Sequence, residues 1–345
     1  MKLPKAYATT IQKKAIDMTL SVNPLGCSPR ALKALRSMSM KSIRTYPNQA
    51  PLIKLIAASF TTVTDNVLLG VGSEQLIKLV CTAFLTRGSI AAIESGSFFL
   101  FSREPLLVGA KTVFFDFATP TRFRRRPDVL FIANPTTPGG LDRSNRDILR
   151  VMDSINPKIA VIDEANGEFR DDSLISEIPA RPNLIVLRTF SKALGLAGLR
   201  IGVALGSAKN IGVMSEFQQP FPVSSVALIA AEASLGDTTF LRTTKQFIAK
   251  EREFLTDALI KRGFGVSPSV TNNLFVTRTD SKKIVRALAA KEVSVIDGSF
   301  FPNNNQRGFR ISLRDKRTNR KFLARLDEVL ACLTPNKLLG SEEAI

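Results

Sequence analysis

A lysine sits among small and apolar residues in the stretch TFSKALGLAGLRIG, and an arginine, Arg200, follows it. An amine in such a place is a candidate nucleophile toward a carbonyl. Burial and a neighbouring cation both disfavour its ammonium form, so Lys192 gains neutral, reactive character. Two more polar residues close apolar runs: Asn134 ends VLFIAN and Asp163 stands at the end of IAVID. A carboxylate there can hold a proton on a basic nitrogen, and an amide can donate to an oxyanion. Upstream, GVGSEQLIKL places Ser73 and Glu74 where a glycine turn opens a helix, and unpaired N–H groups at a helix start hold anions such as phosphate. Each residue alone also has a plain structural role, such as a cap, a turn or a strand-end ion pair.

Elements of a particular kind must bring these groups together. VLFIAN, IAVIDE and LIVLRTFSK are short apolar runs without alternation, as expected for strands buried on both faces of a mostly parallel sheet. Ligands in open α/β sheets bind beyond the carboxyl ends of the strands, so Asn134, Asp163 and Lys192 are expected to converge. A helix is predicted from about Glu74. The last third changes character. A long helical pattern, KQFIAKEREFLTDALIKRGF, is followed by NLFVTR, SKKIVRALAAKE and GFRISLR, which suggests a smaller α+β unit. The predicted class is α/β, with a large domain over 45–235 and a small domain from 1–44 and 236–345, the break falling near Gly236.

Composition narrows the chemistry. The 345 residues include no histidine, which excludes Ser-His-Asp and Cys-His nucleophile systems and imidazole-ligated metals. Cys27, Cys81 and Cys332 are too few and too scattered for a disulfide framework or a zinc site. The net charge of +18 raises nucleic acid as a partner, and TRFRRRPD gathers Arg122, Arg124, Arg125 and Arg126. Only Phe123 interleaves these cations, so a solvated loop is expected and no nucleic-acid groove. No apolar run is long enough for a membrane span, and the first twenty residues lack the continuous apolar centre of a secretory signal, so a cytoplasmic protein is expected.

An amine, a carboxylate, an amide donor and an anion cradle are together what pyridoxal 5′-phosphate needs for its aldehyde, pyridine nitrogen, phenolic oxygen and phosphate. At these residues the sequence resembles a known family. SKALGLAGLRIG is similar to the lysine signature of fold-type I, class I/II aminotransferases, ANPTTPGG to their Asn-Pro turn, and VIDEANGEF to their Asp-Glu-Ala-Tyr element. With NPLGCSP, RTYPN, GVGSEQLIKL, QPFPVSS and SPSVTNNLFV, the order most resembles histidinol-phosphate aminotransferases, from about Met18 to about Leu330.

The resemblance implies roles. Lys192 is the covalent and acid/base residue, Asp163 the partner of the pyridine nitrogen, and Asn134 a donor to the phenolic oxygen. Ser73, Glu74 through its N–H, Thr189, Ser191 and Arg200 hold the phosphate, and Phe98 stacks on the ring. Tyr46 reaches the phosphate in a neighbouring subunit, which implies a homodimer. Arg310 takes the substrate's anionic group, with Asn273 and Arg314 also on the substrate side. The implied substrates are a small phosphorylated amine and glutamate or 2-oxoglutarate.

The sequence departs from the family at several places. Asn166 replaces the tyrosine of Asp-Glu-Ala-Tyr, Val22 replaces a glutamate, and Pro222 and Thr137 replace asparagines. Arg314 adds a second cation to FRISLRDKRTN, a pattern similar to that of threonine-phosphate decarboxylases, which gives a second reading. A third reading is a degenerate, non-catalytic binding protein on the same fold. Retention of Lys192, Asp163, Asn134 and Arg200 argues against it, because a binding module needs none of them.

Overall fold

The computed structural model describes residues 16–120 and 123–333. Arg122 of the basic cluster lies outside the described residues, as do the first fifteen residues and the last twelve.

The three apolar runs form the strands Val129–Ala133, Ile159–Asp163 and Leu184–Thr189, buried at every position. Nothing in them alternates because both faces are covered. They form the centre of a seven-stranded sheet in the order Val67–Gly70, Gly202–Gly206, Leu184–Thr189, Ile159–Asp163, Val129–Ala133, Ile90–Glu94, Lys111–Phe115. Only Gly202–Gly206 runs against its neighbours; the pairings from Leu184–Thr189 to Lys111–Phe115 are all parallel. One apolar core lies on each face, with Leu130, Ile132 and Ile162 facing one way and Val129, Phe131 and Val161 the other.

The helix after the glycine turn is Gly72–Phe84, starting two residues before the expected Glu74. Ser73 therefore lies within its first turn. Leu76, Ile77, Val80 and Cys81 form the buried stripe that fixes the helix on the sheet, so the N–H groups of its first turn are held in place.

A second body follows Gly236. Its four-stranded antiparallel sheet has the order Ile296–Asp297, Gly308–Ser312, Asn273–Thr277, Gly265–Val266. The helices Thr238–Ile260, Ser281–Ala290 and Lys316–Leu333 cover it through Ile248, Leu255, Ile284, Phe322 and Leu326. Met18 joins this core, and Ile16–Asp17 pairs with Val293–Ser294.

The expected membership of residues 1–44 needs correction at its first helix. Pro29–Arg36 is capped by Ser28, and its Ala31 lies in the large-domain core with Leu52, Ile56, Ala227 and Leu228. The apolar side of this helix matches the Ser225–Leu235 helix, and burial there outweighs its position in the chain. We propose a domain division in which only the segment before about Asn23 joins residues 237–333. Among the described residues no helix is long and apolar enough to cross a membrane.

Candidate active site

The strand register sets the floor of the site. Ala133 pairs with Asp163, and Asp163 with Leu187, so the carboxyl ends of three neighbouring strands lie side by side. Beyond Thr189 the chain closes on itself: the Leu196 N–H donates to the Phe190 carbonyl at 2.9 Å and the Gly195 N–H to that of Lys192 at 3.0 Å. Gly195 has φ +73°, and a Cβ there would run into the Gly26 carbonyl oxygen. Only glycine lets the lysine loop pack against the Asn23–Cys27 turn, and Asn23 fixes that contact by donating to the Ala193 carbonyl at 2.8 Å.

A cavity of about 490 Å³ opens above this floor. Ser73, Glu74, Thr189, Ser191 and Arg200 gather at one end of it. Arg200, in the left-handed region at φ 52°, donates to the Ala197 carbonyl at 3.1 Å and to the Glu74 carboxylate at 3.2 Å. Its guanidinium lies over Gly72, where a Cβ would stand 2.8 Å from Nη2. Thr189 Oγ1 donates to Ser191 Oγ at 3.0 Å. Three hydroxyls, a guanidinium and the N–H groups of a helix start thus share one corner, a set that suits an anion.

Lys192 and Asp163 also line it. The Lys192 amine is pushed down to about 8, first by burial and next by the Arg310 guanidinium, with Arg200 the smallest of the contributors. The cation beside Lys192 in sequence is therefore not the one that matters most, because Arg200 is turned toward Glu74 and Ala197. Asp163 is pushed up to about 7, mainly by burial, against the Ala165 N–H and Lys192, which favour its ionised form. Its carboxylate accepts from the Ala165 N–H at 3.0 Å and is in no ion pair among the described residues. A buried carboxylate facing a cavity with so little compensation suits a cationic ligand atom.

Phe98 forms one wall, half-buried and steadied by edge contacts with Phe99 and Phe101 at 5.0 and 5.8 Å. Asn166 is buried at the opening of the loop after Asp163, and its Oδ1 has no hydrogen-bond partner among the described residues. Arg310 and Asn273 line the cavity from the second body. Arg310 is buried and donates to the Thr19 carbonyl at 2.5 Å, while Asn273 Oδ1 accepts from Ser21 and from Ser312, the latter at 2.9 Å.

Three expected site residues do not line the cavity. Asn134 is fully buried behind the floor, where its amide accepts from the Arg143 N–H and donates to the Arg143 carbonyl, each at 3.0 Å; one amide hydrogen remains for a ligand. Tyr46 is 81% exposed and stacks on Phe221 at 4.7 Å on the outer surface. Arg314 lies past the end of the Gly308–Ser312 strand, its backbone held on both sides by the Asn319 amide, and it does not join Arg310 at the cavity. Of the two arginines expected on the substrate side, Arg310 lines the cavity and Arg314 does not. Conversely, the Thr19–Val22 segment and Thr137 line the cavity without having been singled out as contacts.

The donor set fits pyridoxal 5′-phosphate: the anion corner suits its phosphate, the buried Asp163 carboxylate a protonated ring nitrogen, and Lys192 its aldehyde. Fold and site together thus fit a cofactor-dependent enzyme whose cavity holds a buried lysine. The match of the class I and II aminotransferases covers residues 13–326, and the chain belongs to that family. It is 33% identical to the histidinol-phosphate aminotransferase of Roseiflexus castenholzii over 92% of this chain and 90% of that one. Among solved structures it resembles the histidinol-phosphate aminotransferase of Sinorhizobium meliloti, solved in complex with pyridoxal-5′-phosphate, with a TM-score of 0.85, 24% identity and 93% and 92% coverage. The L-threonine-O-3-phosphate decarboxylase of Porphyromonas gingivalis also shares the fold, with a TM-score of 0.80, 21% identity and 91% and 99% coverage.

Proposed function

We propose that this aminotransferase binds pyridoxal 5′-phosphate and moves an amino group from histidinol phosphate to 2-oxoglutarate, giving imidazole-acetol phosphate and glutamate. The observation that carries this reading is one cavity lined by Lys192 and Asp163 together with the hydroxyls and guanidinium around Arg200 and the buried cation of Arg310. Two cations lining one cavity suit a phosphorylated cofactor and a phosphorylated or carboxylated substrate. When bound, the cofactor supplies an aldehyde for an amine and a ring that accepts negative charge.

This chain's residues do the rest. The Ser73, Thr189 and Ser191 hydroxyls, the first-turn N–H of Glu74 and Arg200 hold the phosphate. Asp163 keeps a proton on the ring nitrogen. Asn134, with its remaining amide hydrogen, and Asn166 would donate to the phenolic oxygen, and Phe98 would cover a ring face. Lys192 Nζ takes the proton from the substrate's amine-bearing carbon, and its lowered pKa makes it a base near neutral pH. Arg310 reads phosphate in one half-reaction and carboxylate in the other, with Asn273 beside it. Val22 lines the cavity and offers no carboxylate to the imidazole.

Arg314, which pointed to decarboxylation, stands away from the cavity, so the decarboxylase reading loses its support. We also propose a cytoplasmic homodimer. Met40, Ile43, Tyr46 and Phe221 are exposed apolar residues, and a second copy would cover them and bring Tyr46 toward a neighbouring cofactor site.

The test is spectroscopic. Histidinol phosphate, added to the cofactor-loaded protein, will remove the visible absorbance of the bound cofactor, and 2-oxoglutarate will restore it. Threonine phosphate will release no CO₂; its release would overturn the reading. Arg310→Ala removes a charge-assisted contact of about 2–3 kcal/mol, so kcat/KM will fall roughly 30- to 150-fold for both substrates. Unchanged values for both would remove Arg310 from the site.

A further inference from the structure

Two walls of the cavity belong to different bodies of the protein: Phe98 to the large domain, Arg310 to the small one. A stretch of the small domain, residues 298–306, bridges them. At one end Phe301 is fully buried against Phe275 and Ile296, with the Arg310 guanidinium carbon 5.8 Å from its ring centre. The next residues cross to the turn that carries Phe98. The Gly96 N–H donates to the Pro302 carbonyl at 2.7 Å, and the Asn303 amide donates to Ser95 Oγ at 2.8 Å.

Both sides of this contact are shaped for it. Gly96 has φ +75° and Asn303 φ +56°, the left-handed region open to glycine and tolerated by asparagine. Asn304 braces the bridge from within, donating to the Gly298 carbonyl at 3.0 Å and accepting from the Gln306 N–H at 3.2 Å. Phe98 follows the Ser95–Ser97 turn directly and stands at the N-cap of the Phe99–Leu107 helix, so the turn sets where the chain enters the helix. On the large-domain side the turn is held by the Ser95 N–H to Phe115 carbonyl bond at 2.9 Å and a longer Ser97 to Glu94 bond at 3.3 Å.

We propose that Asn303 is a positioning residue: together with Pro302 it holds the Ser95–Gly96 turn and thereby sets Phe98 against the cofactor ring from the small domain. The inference rests on the role given above to Phe98. It makes the ring wall and the anion-reading Arg310 parts of one connected piece, joined through Phe301. A small-domain shift that moves Arg310 then also moves the wall opposite Lys192.

The test uses the cofactor-loaded protein without substrate, so it does not depend on which amine the enzyme takes. Asn303→Gly keeps the left-handed backbone and removes the amide; Asn303→Asp keeps a hydrogen bond, with Ser95 Oγ–H now donating. Hydrogen exchange at the Gly96 amide reads the bridge, and visible circular dichroism of the bound cofactor reads the ring wall. One exposed hydrogen bond supports an effect of about 3- to 10-fold. Asn303→Gly will speed Gly96 exchange by that factor and weaken the dichroism, and Asn303→Asp will restore both. Ser95→Ala will reproduce the glycine variant, and the Ser95→Ala, Asn303→Gly double variant will add nothing further. Unchanged Gly96 exchange in Asn303→Gly would overturn the proposal, as would faster exchange with unchanged dichroism.

Discussion

Lys192→Ala will cut turnover by about 10⁴-fold or more while leaving a protein that still takes up pyridoxal phosphate. The loss follows from what the side chain alone provides. Among the described residues no other amine lines the cavity, and general acid–base transfer by a placed group is worth about 10²–10⁴ before its covalent role is counted. The residual binding follows from the anion corner, which keeps Ser73, Thr189, Ser191 and Arg200. Its amine, pushed down to about 8, also sets a pH dependence in the wild type. At pH 7 a group of that pKa is neutral in roughly one molecule in ten, against fewer than one in a thousand for an ordinary lysine. Covalent capture of the cofactor by the apoprotein will therefore rise with pH and level off above about 8. Because Arg310 is the leading cation behind the shift, Arg310→Met will move that midpoint upward. Small alkylamines added to Lys192→Ala should return part of the lost rate. Turnover of the alanine variant at the wild-type rate would remove Lys192 from the mechanism.

The parts of this site that were legible in the sequence share a physical cause. Val129–Ala133, Ile159–Asp163 and Leu184–Thr189 are buried on both faces, so their apolar runs end abruptly where the sheet ends, and the polar residue after each run lies at its carboxyl edge. The glycine turn before Ser73 was legible for a similar reason, since a chain that brings backbone close to an anion leaves small residues behind. What failed was direction and distance. Arg314 shares strand parity with Arg310 and Ser312, and it would face the cavity if the strand continued; the strand stops at Ser312. Thr19–Val22 has no periodic pattern. It is brought to the site by the Ser312 N–H donating to the Met18 carbonyl and by Arg310 donating to that of Thr19, pairings between chain ends that no local pattern encodes. The same holds for the Lys192 environment, where the distant Arg310 outweighs the nearby Arg200.

Asp163→Asn will abolish most activity and yet make the cofactor-free protein more stable. In the loaded enzyme a neutral amide cannot hold the proton on the ring nitrogen, so kcat will fall by about 10²–10⁴-fold. Without cofactor the balance is reversed. Asp163 is raised from 3.8 to about 7 because burial penalises its charge more than the Ala165 N–H and Lys192 favour it. A raised acid binds its proton more tightly when folded, so its contribution is complete below the unfolded value near 4. It is then lost as pH rises toward 7 and changes little above that. Asparagine escapes this loss and still accepts from the Ala165 N–H. The stability advantage of Asp163→Asn will thus grow between pH 4 and pH 7, reaching about 2–4 kcal/mol. Lys192 loses an attractive neighbour in the variant, which subtracts from the gain while its amine is charged, so the full advantage will show above about pH 8. Urea midpoints of both apoproteins at pH 5, 6, 7 and 8.5, at fixed protomer concentration, measure it. An advantage independent of pH would show that Asp163 is not the strained group. The predicted slope means that the cofactor's cationic ring nitrogen offsets a cost the fold carries at this one carboxylate, and that added pyridoxal phosphate will stabilise the wild type more than the variant.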